Sequence, residues 1–546
     1  MQKPRVQRRP TTQKPLSMIL VNTPLCESDG EEIKIENSDS SDEETCTPLP
    51  EPRALVEHGR TEVAKDGTVW RVEQLAKPLF TPVEPYTADG APTAKTRRIV
   101  TSRLQSFLCF ISLQMLRMIQ RWTVQHGRHK EHENWFMDVP ELMGFIAVLI
   151  WKGVTQVPSL CDNWSEDMGN PRIIATMARN RFQNIMQHLR FDDMYTRAER
   201  VQTDKFAAIS TVWESFVKNC ISVFTPGRHI TIDEQLFPSK TQCGFLQYIA
   251  TKPDKFGIKF WVACDLKSKY ICNAIPYLGK DPNRPSGERL SESVVMKLME
   301  PFLDKGRTVT TDNFFTSLSL AQRLRSRRTS LLGTVNKIRR EIPPSTRQGN
   351  QIDFTTRVFS TPEAILTVYA PKRKKTVYIL SSMHSQVETE DSYKQKPNTV
   401  TQYNQTKCGV DVMDQMVREY TVRSGTRRWP IAVFYNMIDM AALNAHIVYQ
   451  ACTGVQERRA EFLVHLAKEL AKFHINAKKS REDKKFLQQP LSTGKRTKCQ
   501  VRDGCKRNSA AGRCVHCFKY TCGKCKKEPA LECRPCSDSQ DKLRNR

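Results

Sequence analysis

The sequence predicts a mixed α/β sheet domain set among mainly helical regions and closed by a small cysteine-rich module. Three observations carry this. Short runs rich in β-branched and aromatic residues, bounded by Pro, Gly and Asp, concentrate between His229 and Thr311. Apolar residues at spacings of one, three and four dominate the stretches before Gly227 and after Lys407. Eight of the 18 cysteines lie between Cys499 and Cys536. With 546 residues, 39% of them hydrophobic, the chain is long enough for roughly two to four domains and a sizeable core. Its 85 Lys+Arg against 58 Asp+Glu leave a net charge of +27, which points to a polyanionic partner, most often nucleic acid.

The longest uninterrupted apolar stretch, Leu142 to Trp151, is about half of the ~20 residues that span a bilayer, so no membrane helix is expected. The basic start MQKPRVQRRP lacks the apolar centre of a secretory signal, which fits a nuclear or cytosolic setting.

Taken in order, residues 1 to about 95 read as poorly ordered. Glu27 to Glu44 holds nine acidic residues and four serines, with only Ile33 and Ile35 as bulky apolar side chains. This acidic tail is either simply solvated or a competitor of DNA for the basic body. Thr101 to Arg121 reads as one helix with Leu104, Phe107, Leu108, Ile111, Met115 and Ile119 on one face. A second helix starts after Asp138, with Pro140 in its first turn, and runs through Trp151. Asn180 to Leu189 and Ala207 to Phe224 follow the same pattern. His229 to Phe237, Gly257 to Asp265 and Lys269 to Tyr277 then read as consecutive strands, Ser291 to Leu303 as a helix, Thr308 to Thr311 as a strand and Ser317 to Arg325 as a helix. Ala364 to Tyr369 and Thr376 to Ser382 are strand-like, around the basic run Lys372 to Lys375. Lys407 to Tyr420 is a glycine turn entering a helix, and Arg428 to Thr453 a buried core helix with Pro430 in its first turn.

Three acidic sites sit where such a domain presents side chains at element ends. In HITIDEQ, Ile230 and Ile232 face one side and Asp233 the other; in RTVTTDNF, Thr308, Thr310 and Asp312 share a face. In KCGVDVMDQM, Asp411 and Asp414 are three apart and share a helix face. Phosphodiester chemistry uses such carboxylates to hold two Mg²⁺ ions roughly 3.5–4 Å apart, which activate the attacking oxygen and stabilise the leaving one. Taken singly, an Asp at an element end more often caps backbone amides.

Several longer motifs add to this. They are YIATKPDKFGIKFWVACDLKSKYICNAIPYLG from Tyr248, TTDNFFTSLSL from Thr310, GTVNKIRREIP from Gly333, YNQTKCGVDVMDQM from Tyr403 and RRWPIAVFYNMIDMAALNAHIVY from Arg427. In content and order they resemble the transposases of the piggyBac family of cut-and-paste DNA elements, over roughly residues 100 to 540. The resemblance implies an RNase H-like catalytic domain whose Asp233, Asp312 and Asp411 coordinate two Mg²⁺, with Asp414 a further acidic residue near the site. It implies hydrolysis at the element's 3′ ends, hairpin formation on the flanking strand and insertion at TTAA. Cys408 replaces a glycine usual in the family, and Asn336 an arginine of a stretch associated with target DNA, where Lys337, Arg339 and Arg340 stand nearby.

The layout expected on this basis is a disordered 1–95, a helical dimerisation and DNA-binding region at 96–228, catalytic residues 229–337, an insertion at 338–396, catalytic residues 397–420, a second helical part at 421–495 and a zinc module at 496–546. The spacing of Cys499, Cys505, Cys514, Cys517, Cys522, Cys525, Cys533 and Cys536 gives four close pairs, enough for two tetrahedral Zn²⁺ sites. The preferred pairing is interleaved, first with third and second with fourth; His516 is an alternative ligand. This module carries 15 Lys/Arg against five Asp/Glu from Lys495 onward, suited to terminal-repeat recognition or to a protein partner. Arg427, Arg428 and Trp429 serve as a DNA contact, or Trp429 as a core anchor. The expected whole is a nuclear, Mg²⁺-dependent transposase acting on double-stranded DNA as a homodimer. The alternatives are a domesticated DNA-binding derivative and a RING- or PHD-like adaptor, the latter leaving the Asp motifs unexplained.

Overall fold

The computed structural model describes residues 59–157, 159–250, 252, 254–280, 287–347, 352–372, 375–487, 492–501, 505, 508–514, 517, 519–527 and 532–533. Eleven strands join one sheet: β1 (Thr61–Val63), β2 (Val69–Glu73), β3 (His229–Pro238), β4 (Leu246–Tyr248), β5 (Phe256–Asp265), β6 (Ile271–Pro276), β7 (Thr308–Thr311), β8 (Ser330–Thr334), β9 (Thr355–Ser360), β10 (Ile365–Lys372) and β11 (Lys375–Ser381). Their order is β1-β2-β9-β10-β11-β8-β7-β3-β5-β4, with β6 also on β5. The pairs β3–β7 and β7–β8 are parallel and the others antiparallel. The Leu318–Ser326 helix makes the crossover between β7 and β8.

The strands form where the alternation places them. Ile230, Ile232 and Val309 are fully buried in one core that also takes in the helices. Arg307 enters β7 fully buried. Its guanidinium donates to the carbonyls of Pro226 (2.9 Å), Gly227 (3.1 Å) and Phe302 (3.1 Å), which ties the start of β7 to the start of β3.

The helices follow their caps. The stretch expected as one helix is two, Arg103–Leu108 and Leu113–Lys130, because Ser102 and Ser112 each accept a backbone N–H and restart the helix. Asp138 caps Val139–Thr155 through the Glu141 amide at 2.8 Å. Trp429–Thr453 is long and apolar enough to cross a membrane, yet 94% of its most apolar window is buried inside the protein, as a core helix requires. The Arg459–Leu487 helix, inside the helical part expected at 421–495, sets Phe462, Leu466 and Leu470 into the core and runs along Val139–Thr155.

Two expectations about layout change. Residues 59–95 are not a disordered tail: β1 and β2 form a hairpin that extends the sheet edge by pairing β2 with β9. Trp70 anchors it, fully buried and donating from Nε1 to the Glu341 carbonyl at 2.7 Å. One large buried indole and a paired strand offset the ordering entropy that the composition of the preceding residues cannot. The acidic segment 27–44 lies outside the described residues. The 338–396 segment, expected as an inserted domain, is continuous with the main sheet, since β11 pairs with β8 and carries β9 and β10 with it.

Candidate functional site

Parallel pairing of β3 and β7 sets Ile232 opposite Thr311, so the next residues, Asp233 within β3 and Asp312 just past the end of β7, stand side by side on one face. The third carboxylate arrives on the Gly409–Glu419 helix, whose first turn holds Asp411. That helix lies against β3 because Thr231 donates from Oγ1 to the Thr406 carbonyl (2.8 Å) and because Gly409 has no side chain; a Cβ there would stand 2.7 Å from the Thr231 Cβ. Cys408, before Gly409, has φ −82°, ordinary for any residue, so the turn is unstrained.

Burial, and then the neighbouring Asp312 and Asp411, push the Asp233 carboxyl up to about 7, against a hydrogen bond from the Glu234 amide (2.8 Å). Burial also raises Asp312, opposed by the amides of Phe314 (3.0 Å) and Phe315. Asp411 is 63% exposed and pairs with Lys252 at 3.6 Å. Asp312 and Asp411 both act on Asp233 through their charge. Carboxylate oxygens are the hard donors that a divalent cation such as Mg²⁺ takes, but among the described residues these three do not gather within 4.8 Å of one another as the cysteine sulfurs described below do.

Asp414 has a different environment. It accepts from Gln235 Nε2 (2.9 Å) and pairs with Arg418 (2.9 Å), while Gln235 accepts in turn from Asn436 Nδ2 (2.9 Å). Burial raises its pKa, with Arg418 and Gln235 opposing. The chain Asn436–Gln235–Asp414–Arg418 locks the 409–419 helix between β3 and the core helix. Sequence reasoning did not single out Gln235, two residues beyond Asp233 on the same strand face, nor Lys252.

The profile of the family described as Transposase IS4 matches residues 103–446, more than half of the chain. The chain belongs to the piggyBac-type transposases of this family. It is 26% identical over 331 residues to human PiggyBac transposable element-derived protein 3, covering 57% of this chain and 55% of that one. Human PiggyBac transposable element-derived protein 2 is 23% identical over 350 residues, 59% of this chain and 57% of that one. The chain thus spans about half the length of these relatives. A cryo-EM structure of a piggyBac transposase synaptic complex with hairpin DNA matches with a TM-score of 0.70 at 28% identity, over 82% of this chain and all of that one. The mixed sheet flanked by helices is therefore the piggyBac fold.

In this piggyBac-type chain the basic candidates divide by environment. Lys337, Arg340 and Arg427 are exposed. Arg339 instead donates from Nη2 to the carbonyls of Asn313 (3.3 Å) and Phe314 (3.1 Å), clamping the loop that follows Asp312. Arg428 donates to the carbonyls of Gln187 (3.0 Å), Met186 (3.3 Å) and Leu189, satisfying the C-terminal end of the Arg179–His188 helix. Trp429 stacks on Phe206 (5.4 Å between centroids) and meets Phe245 edge-on, so of its two open roles the structure shows the core anchor.

At the C-terminal end, the sulfurs of Cys499, Cys505, Cys522 and Cys525 gather within 4.8 Å of one another, all four residues buried. These are the first and third pairs of the interleaved arrangement. Desolvation, followed by the thiols of Cys505, Cys522 and Cys499, pushes Cys525 up to about 12, a crowding that a bound cation relieves. Four sulfur donors suit Zn²⁺. Cys514 is buried and Cys517 half-buried; His516, Cys536 and the Cys533 side chain lie outside the described residues.

Proposed function

We propose that this chain is a DNA transposase that cuts and rejoins phosphodiesters at the Asp233–Asp312–Asp411 site. The observation that carries the reading is that Asp312 and Asp411, from distant parts of the sequence, both act on the buried Asp233, in a chain whose family is a transposase family. Asp233, Asp312 and Asp411 would hold two Mg²⁺ ions, which when bound supply activation of the attacking oxygen and stabilisation of the leaving 3′ oxygen. Asp233 from within β3 and Asp312 from just past the end of β7 fix the site, and Asp411 closes it from the helix that Asp414 and Gln235 hold in place. Lys252 tempers the negative charge at Asp411 and attracts the phosphate. In the order proposed, water attacks at the element's 3′ ends, the freed 3′-OH attacks the flanking strand to give a hairpin, and the reopened end joins a TTAA target. The chain acts as a homodimer in the nucleus, and its cysteine-rich module, with two Zn²⁺ ions, recognises the terminal repeats.

A domesticated, non-mobilising DNA-binding protein is the second reading, favoured by relatives named as element-derived; the intact carboxylate set favours the first. The test is excision of a matching element in the presence of Mg²⁺. Excision that Asp233→Asn abolishes supports the transposase, and stable end binding without any strand cleavage supports the second reading.

A further inference from the structure

Phe314 follows Asp312 by two residues and is 43% exposed, although it is a large apolar side chain. It is nonetheless rigidly held. Its amide donates to Asp312 Oδ1 (3.0 Å), and its carbonyl accepts from Arg339 Nη2 (3.1 Å). Its ring lies nearly parallel on the buried Trp261 indole, with centroids 5.5 Å apart and planes 17° apart, and meets Phe315 edge-on at 5.0 Å. Lys259 Nζ stands 3.8 Å from the Trp261 centroid and 5.7 Å from that of Phe314, and Glu234 Oε2 holds it at 2.7 Å. A flat aromatic surface is thus fixed beside the carboxylates, backed on one side by an indole and partly open to solvent.

We propose that Phe314, backed by Trp261 and Lys259, is a stacking platform for one unpaired base of the DNA whose phosphate lies at the Asp233–Asp312–Asp411 site. The inference rests on the transposase reading above and adds a positioning surface to it. Three features select this occupant. The ring is covalently next to the site, so a base one or two nucleotides from the reacting phosphate is within its reach. Lys252, beside Asp411, and Lys259, 5.7 Å from the Phe314 centroid, put positive charge at the site, which suits a nucleic acid strand. A ring carried on a loop reaches only a base whose face is not covered by its neighbours, as at a hairpin tip or a strand end, and stacking on such a face is tolerant of sequence. Coverage of Trp261 alone would be served equally well by an aliphatic residue, which gives the test its control.

The experiment uses the full chain without added Mg²⁺ and a DNA hairpin with a four-nucleotide loop, carrying 2-aminopurine in the loop or in the stem. Wild type should quench the loop probe at least about twofold and leave the stem probe unchanged, because stacking on an aromatic ring quenches an unpaired base. Phe314→Tyr should keep the quench. Phe314→Leu, which preserves the cover over Trp261, should lose it and bind the hairpin roughly 5- to 100-fold more weakly, with duplex affinity by anisotropy unchanged. Wild type that binds the hairpin without quenching its loop overturns the platform but leaves the transposase reading standing. So does Phe314→Leu that quenches like wild type or weakens hairpin and duplex equally. Wild type that binds neither DNA overturns both.

Discussion

Gly409→Ala probes the contact that brings Asp411 to the two strand carboxylates. An added Cβ would lie 2.7 Å from the Thr231 Cβ and 2.3 Å from its Oγ1. The hydroxyl can turn aside only by releasing the Thr406 carbonyl, and the Thr231 Cβ cannot move without the strand. Since carbon atoms sit at about 3.5–4.0 Å in ordinary contact, the helix must retreat from β3 by about 1 Å. Overpacking of this kind costs about 1–3 kcal/mol of stability. A displacement of about 1 Å at a reacting centre costs on the order of 10²-fold in rate, and that is the expected loss in cleavage of element ends with Mg²⁺. DNA affinity by anisotropy should stay within about twofold, because the carboxylates are not what holds the duplex. The double variant Thr231→Gly/Gly409→Ala removes the obstructing carbon while forfeiting the Thr231 hydrogen bond, worth about 1 kcal/mol. It should cleave at least about tenfold faster than Gly409→Ala, recovering much of the positional loss. Cleavage by Gly409→Ala within about threefold of wild type, or no recovery in the double variant, would refute the idea that helix seating places Asp411.

Asp233→Asn, Asp312→Asn and Asp411→Asn should each lower cleavage by more than about 10²-fold with end binding preserved, read as strand cleavage against anisotropy on the same DNA. Asp439 is buried and accepts from Thr421 Oγ1 (2.5 Å) and the Val422 amide (2.9 Å); burial raises its pKa to about 7, with the Thr421 bond opposing. The fold therefore holds this proton more tightly than the unfolded chain, so its stabilising contribution is complete below pH ~4 and declines until pH ~7. Asp439→Asn should accordingly gain stability relative to wild type by up to about 4 kcal/mol between those two pH values, read as the difference in melting temperature across that range. Cys505→Ser should remove about one zinc per chain by elemental analysis, and an unchanged zinc content would contradict the Cys499–Cys505–Cys522–Cys525 set. Arg428→Ala should cost about 2–4 kcal/mol in thermal stability while leaving the salt dependence of DNA binding unchanged; a shallower salt slope would restore Arg428 as a phosphate contact.

What is local in this protein is legible in its amino-acid order. Alternation in HITIDEQ and RTVTTD sets Asp233 and Asp312 on the faces that the strands present. The apolar circumference of Trp429–Thr453 marks a buried helix, and cysteine spacing brings out the pairs that cluster as Cys499, Cys505, Cys522 and Cys525. The 69–73 strand is written in the alternation of VWRVE too, although the composition of the acidic segment before it masks the signal. What only the tertiary structure decided is which distant groups become neighbours. The parallel register of β3 on β7 makes Asp233 and Asp312 adjacent, although nearly eighty residues separate them along the chain. Packing likewise gave Asp414 to Gln235 and Arg418, Arg428 to the end of a helix, and Arg339 to the loop behind Asp312. The physical reason is that a side chain's face follows from backbone periodicity within a few residues, whereas its partner follows from long-range pairing and from the unsatisfied carbonyls that happen to lie within reach.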